Sequence, residues 1–512
     1  MDDATRKALL SAADFGSDVA EKEIQQLSKY FVQTGQWKRV RSGDVDVIYG
    51  QKGSGKSAIY YLLDNEENSF LDEHILLAPA ENIKADPAFS EIKKDAPPTT
   101  EEFACLWKLY LCSVAALRAK EIGIDNDDIN HVISYLKDLM IVDGRPSLNS
   151  ILKMTFDYVK AFFRASSVEG TVNIDPNTGT PIGFGGRIVF SEPSFSARKV
   201  GAKSIKDIMD VLDRAMGSYG YKMWLLLDRL DVAFSQSEEL ESRALRSLFE
   251  AYNDMHFDNI KLKIFMRTDI WERISKEGFR EATHVGNLNG SVFLEWDENI
   301  LFSLMMRRIL NNDHICEYFA VSREEAMSSF DLQKLLFQRM VPNKSISRKH
   351  EDSFRWIYSR LSDGKEICAP RELIQLISAA RNIQLEKLEN GQSGPKDDAL
   401  FDRTTFLKAL EVVSTARMEK TIFAEYPRFR PHLDMLRGKR TTQTSATLAN
   451  IWNTNETEAN RIASELHLIG IFERPGQGQT IYRVPFLYRS ALQMVQGAEV
   501  ASGVSDADGD EL

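Results

Sequence analysis

"DVDVIYGQKGSGKSAIYYLL", residues 44–63, joins an apolar run to a segment of helical character through a loop almost without large side chains. Gly50, Gly53 and Gly55 let the backbone come close to a bound group, and Gly50, four residues, then Gly55-Lys56-Ser57 has the spacing of a P-loop. The flanks agree with that reading. "VDVIY" reads as a buried strand, and "KSAIYYLL" as the start of a helix whose N–H groups and dipole favour an anion. Gly50, Gln51, Lys52, Gly53, Ser54, Gly55, Lys56 and Ser57 are therefore the expected cradle for nucleotide phosphates. Lys56 is expected at the β/γ-phosphates and Ser57 on Mg²⁺. The bland alternative, a glycine-rich turn with a chance lysine, does not account for a strand on one side and a helix on the other.

The chain has 512 residues, more than one hydrophobic core usually serves, so several domains are expected. Its hydrophobic fraction of 43% and charged fraction of 27% are those of an ordinary globular protein. A net charge of -11 excludes a general attraction to nucleic acid, so any such role must be local. Cys105, Cys112, Cys316 and Cys368 lack CxxC spacing, and the eight histidines form no ligand cluster. Free thiols and no zinc site follow. The first residues, "MDDATRKALLSAADFGS", carry no long apolar stretch, and no 18 apolar residues run together, so a cytoplasmic protein without membrane contact is expected.

Residues 1–43 read as a helical segment, with apolar positions at helical spacing in "VAEKEIQQLSKYFVQT". From residue 44 to about 300, "VDVIY", "HILLAP", "KMWLLLD", "KLKIFMR" and "SVFLEW" alternate with helical stretches. That alternation predicts an α/β fold, a parallel sheet with helices on both faces. "APPTT" at 96–100 reads as a loop, and 168–190 as a β-hairpin inserted in the core or, failing that, a glycine-rich loop. Residues 301–425 read as a helical lid interrupted by the polar stretch at 389–398. Over 426–495, two helices, the second capped by Asn455, precede two strands around a Pro-Gly-Gln-Gly turn, the order of a winged helix. Small and acidic residues over 496–512 suggest a disordered tail.

Hydrolysis needs an acidic group near the metal and something to position water. "KMWLLLDRLDVAF" sets Asp228 at the carboxyl end of an apolar strand, the position of a Walker B carboxylate that shares Mg²⁺ with Ser57. The position after it, commonly a glutamate, is Arg229. Asp231 is the nearest alternative base unless it only starts the next helix, with Glu238 and Glu239 further away. "FMRTD" ends the following strand, so Arg267 or Asp269 is either a phosphate sensor or half of a structural ion pair. Arg371, in the first turn of a helix in the lid, either reaches the phosphates across a domain cleft or is a solvated arginine. Arg280, Arg307 and Arg308 are candidate fingers for a neighbouring subunit.

Taken together, "DFGSDVAEKEIQQLSKYFVQT", "GQKGSGKSAIYYLL", "LLLDRLDVAF", "IFMRTDIW", "FLEWDENILFSLMMRRI" and "APRELIQL" resemble a family of bacterial P-loop ATPases. That family is related to the KAP and STAND branches of the additional-strand, AAA-like class. The resemblance covers roughly residues 10–430. It implies an ATPase module with a helical lid and a winged helix, of the kind found in bacterial conflict and antiphage loci. Its nucleotide-binding positions carry over to Gly50 through Ser57 and to Asp228; it names no substrate or partner.

Charge divides the readings of the C-terminal part. Between Tyr426 and Gln496 there are nine Lys/Arg against five Asp/Glu, yet "ETEANRIASELH", the expected recognition helix, holds three glutamates and one arginine. Acidic residues there repel phosphate, so a protein contact outweighs DNA reading. Phe423, Tyr426 and Phe429 are either base-stacking groups or core. Three functions remain: a Mg²⁺-dependent ATPase that switches conformation to regulate a protein effector or a homo-oligomer, an ATP-dependent DNA loader using the winged helix, and an ATP-binding scaffold with little turnover. ATP is preferred to GTP only because no NKxD-like base-reading segment is present.

Overall fold

The apolar runs form strands because aliphatic and aromatic side chains alternate between two covered faces. The computed structural model describes residues 1–80, 98–124, 126–139, 141–142, 147–168, 188–189, 203–229, 238–254, 257–276, 290–342, 352–395, 397–473 and 481–498. In chain order the first strands are β1 (Val47–Gly50), β2 (Ile75–Pro79), β3 (Ile188–Val189), β4 (Lys203–Ser204), β5 (Lys222–Leu227), β6 (Ile260–Arg267) and β7 (Ser291–Phe293). β3 and β4 make a small parallel ladder of their own, and the other five form one parallel sheet in the order β2-β5-β6-β1-β7. β6 is thus inserted between the strand that feeds the glycine loop and the strand that ends beside Asp228.

The chain divides into two units, Gly35–Gly50 with Lys56–Leu294, and Met1–Thr34 with Gln51–Gly55 and Glu295–Leu512. In the sheet unit, Val47, Tyr49, Leu225, Leu227, Ile264 and Met266 join a core with helices Thr100–Glu121, Ile205–Ser218 and Glu238–Asp254. Residues of opposite parity face helices on the other side: Phe265 meets Tyr60 at 5.7 Å between ring centroids, and Trp224 meets Phe70 at 5.1 Å. Lys263 is buried within the sheet. Its ammonium donates to Val45 O at 2.6 Å, pairs with Asp46 at 2.9 Å, and lies 4.6 Å from the Trp224 ring. Burial lowers the pKa of that ammonium, and Asp46 opposes the shift. At the expected "APPTT" loop, Thr99 caps the helix Thr100–Glu121 in a capping box with Glu102.

Among the described residues between Glu298 and Glu425 the second unit is built of helices, and it closes with β8 (Arg440–Thr444), β9 (Ile481–Arg483) and β10 (Val495–Ala498) in the order β10-β8-β9. Helices Ser445–Ile451 and Glu456–Leu468 lie between β8 and its antiparallel partner β9, and Asn455 caps the second helix. The Pro-Gly-Gln-Gly turn, most of the expected hairpin at 168–190 and residues 499–512 lie outside the described residues. β10 extends past the expected boundary at 495, paired in parallel with β8. A single core contains Leu301, Leu376, Val413, Phe423, Leu448 and Tyr482, so the expected division at 425/426 is bridged by shared burial.

The helical segment expected over 1–43 is not continuous: Asp3–Ala12 and Gly35–Arg41 are helices, but 19–34 is not. Within it only Ala20–Lys22 and Leu27–Tyr30 are helical turns. Glu23 is drawn inward to a buried ion pair with Arg308 at 2.6 Å, and the Arg308 guanidinium lies 4.6 Å from the Tyr30 ring. Tertiary pairing here overrides the local periodicity. The same pair corrects the reading of Arg308 as a finger for a neighbour: its side chain is buried and spoken for by Glu23 and Phe15 O.

Candidate functional site

The loop's shape follows from its glycines. Gly53 and Gly55 have φ of +83° and +95°, the left-handed region that glycine adopts at no steric cost. A Cβ on Gly53 would lie 3.0 Å from Arg371 Cβ, a crowded contact that adds to the strain a side chain would meet at that φ. Helix Lys56–Asn65 starts at the end of this loop.

In the sheet unit, the Ser57 hydroxyl donates to Asp228 Oδ2 at 2.9 Å, and Asp228 is buried just past the end of β5. Lys56 Nζ donates to Gly50 O at 2.8 Å, closing the loop across its own mouth. Register brings Arg267 opposite Gly50, so the ends of β6 and β1 are level. Arg267 pairs with Asp269 through two hydrogen bonds, of 3.1 Å and 2.7 Å. Arg229 follows Asp228 with φ +56°, a left-handed conformation that costs an L-residue roughly 1–2 kcal/mol. The side chain at the usual glutamate position is therefore aimed by an unusual backbone as well as being the wrong chemical type.

In the helical unit, the loop tip Gln51–Gly55 has its own neighbours. The Trp296 indole N–H donates to Ser54 O at 2.8 Å. Arg371, next to the N1 proline of helix Pro370–Glu389, lies on Gly53. Lys52 Nζ donates to Lys420 O at 3.3 Å and forms an ion pair with Glu425. The Ser54 hydroxyl is buried and has no partner among the described residues. Within the sheet unit, the Ser57 hydroxyl paired with the Asp228 carboxylate is an oxygen donor set that fits a hard divalent cation.

Residue 371 is fixed through its neighbour. Glu372 accepts from Arg417 at 2.8 Å, and both side chains are buried. Burial opposes the charge on Arg417, but Glu372 outweighs it and holds the guanidinium charged. Asp231 and Arg280 lie outside the described residues. Glu238 opens the helix Glu238–Asp254, and Glu239 pairs with Arg243 at 2.8 Å. Trp296, Lys420 and Glu425 were not picked out from sequence, where nothing marks a contact across hundreds of residues.

The basic residues near the second sheet are largely engaged. Arg428 reaches Glu465 at 3.6 Å, Arg437 reaches Asp434 at 3.0 Å, and Arg461 pairs with Glu458 and Glu465. Phe423 and Phe429 are buried as core, under Arg430 and Arg428 respectively. Among the described residues no helix is long and apolar enough to cross a membrane.

A glycine loop of this spacing between an interior parallel strand and its helix, with an acid at the end of another strand, defines an α/β P-loop fold. No family model matches the chain, and no curated protein matches it. One similar solved structure is the Aeropyrum pernix ORC2 protein in ADPNP–ADP complexes, with a TM-score of 0.30 and 11% identity over 90% of this chain and 95% of that one.

Proposed function

We propose that this protein is a Mg²⁺-dependent ATPase whose nucleotide state is read by its helical unit and passed to a protein partner. The observation that carries the reading is the hydrogen bond of 2.9 Å to Asp228 from Ser57, the last residue of the loop Gly50–Ser57. In a nucleotide site those two oxygens hold the cation, and Lys56 leaves Gly50 O for the phosphates. A bound Mg²⁺ supplies charge neutralisation at the β- and γ-phosphates. Arg371, lying on Gly53, is the cation of the helical unit suited to sense phosphate. Arg267, already bound to Asp269, is a positioning group at the end of β6. Asp231 is our proposed base for water, since the residue after Asp228 is an arginine.

β6, inserted between β1 and β5, supports membership of the additional-strand class. A role as a switch for an effector in bacterial defence rests on the sequence resemblance alone. The segment β8, two helices and β9 supports a winged helix, but the pairing of its arginines with glutamates and aspartates favours a protein contact over DNA.

Phosphate release from ATP by the purified chain, with and without double-stranded DNA, tests this. Turnover should be present, insensitive to DNA, and lost by at least about a hundredfold in Lys56→Ala and Asp228→Asn. Stimulation by DNA would make the protein a loader; tight binding of ATP without turnover would make it a scaffold. Retention of full turnover in Asp231→Asn would remove that residue from its assigned role.

A further inference from the structure

We propose that the Lys52–Glu425 ion pair is a latch that nucleotide opens, freeing the segment 418–425 from the loop tip; this rests on the reading of Gly50–Ser57 as a phosphate site. Lys52 is one of the four residues between Gly50 and Gly55, where a bound polyphosphate comes nearest the backbone. Its ammonium is held by the Glu425 carboxylate, whose side chain is only 13% exposed, and by the carbonyl of Lys420. Lys420 sits in a π-helical turn, Met418–Ile422, continuing helix Arg403–Arg417. Such a turn interrupts the i→i−4 ladder, is rare, and is frequent at functional positions. The outside donor Lys52 therefore grips the least regular point of that helix.

Lys52 and its neighbour Gly53 lead by separate contacts to the same stretch of chain. Arg371 touches Gly53, its neighbour Glu372 binds Arg417, and Arg417 is followed directly by the π-turn that Lys52 holds. Polyphosphate at the loop attracts the Lys52 ammonium and repels the Glu425 carboxylate, so binding and the latch compete. Competition is reciprocal: the pair weakens nucleotide binding as much as nucleotide weakens the pair. Opening removes a cross-link from 418–425, which leads straight into residues 426–498.

Two measurements on the full chain test this. In titrations of a fluorescent ATP analogue followed by anisotropy, Glu425→Gln should bind about fivefold tighter than wild type or more, with the difference shrinking as salt rises. Equal affinity in Glu425→Gln, with binding lost in Lys56→Ala, would overturn the latch and leave the phosphate site standing. Binding undiminished in Lys56→Ala would remove both. Hydrogen exchange needs no variant: amides of 418–425 in the wild type should exchange faster when ATP is added, and in Lys52→Met they should be fast throughout. Exchange in the wild type that is unchanged or slowed by ATP sinks the proposal.

Discussion

Glu372 and Arg417 are charged, adjacent and almost without solvent, so each depends on the other. The desolvation of two charges is offset only while both are present. Glu372→Gln should therefore lower stability by about 3–5 kcal/mol, measured as a drop in the urea midpoint, whereas Glu372→Leu combined with Arg417→Met should recover most of that loss. If the double variant is no more stable than Glu372→Gln, the pair contributes more than its mutual neutralisation. The contrast with Arg371 is instructive. Both residues open the same helix, yet 371 meets a glycine of the loop and 372 an arginine of the neighbouring helix. From sequence, "APRELIQL" marks 371 as a cation in a first turn but gives no sign that 372 is buried, because a glutamate in a first turn is ordinary helix chemistry. Lys56, Ser57 and Asp228 were legible since short-range spacing and strand ends define them. Lys420, Glu425 and Trp296 were not, and Lys52 was read only as part of the cradle, since these contacts join distant parts of the chain.

Helix Arg403–Arg417 carries the π-turn and Arg417, so its start matters to both. Asp402 caps it, accepting from Thr405 N at 2.8 Å and from Lys387 Nζ at 3.0 Å. Burial raises the Asp402 carboxyl, but hydrogen bonds from Thr404, Lys387 and Thr405 outweigh it and set the pKa below the usual carboxylate value. A depressed folded pKa means stability that is present above the unfolded pKa and lost as pH falls through the folded one. Asp402→Ala should cost about 1–2 kcal/mol at neutral pH, and the gap to wild type should close as pH falls below about 4. Urea titrations at pH 7 and pH 3 read both; a gap independent of pH would assign the loss to packing instead. All five apolar runs singled out in the sequence became strands of the main sheet, because period and composition are local properties. Their order was not legible, and neither was the failure of 19–34 to stay helical, since both depend on partners such as Arg308 that are remote in sequence.

The N-terminus belongs energetically to the helical unit, through a buried arginine. Arg6 donates to Ala399 O at 2.9 Å, Pro395 O at 2.7 Å and Asp397 O at 3.0 Å, so the polar stretch read as a break between helices is folded around its guanidinium. Leu10 and Phe15 then enter the same core as Leu301 and Leu376, while the sheet unit has a core of its own. Two separate cores predict two calorimetric transitions rather than one. Leu225→Ala, in the sheet core, should lower one of them by a loss of about 2–5 kcal/mol and leave the other in place; Leu376→Ala should do the reverse. Arg6→Met should move the transition that Leu376→Ala moves, because it strips donors from three carbonyls in that unit, the buried one of Ala399 among them, and leaves Lys56, Ser57 and Asp228 untouched. A single transition shifted equally by all three substitutions would mean that the two cores melt as one cooperative body, and the nucleotide-driven motion proposed for 418–425 would then have to occur within that body rather than by loosening one half of the chain.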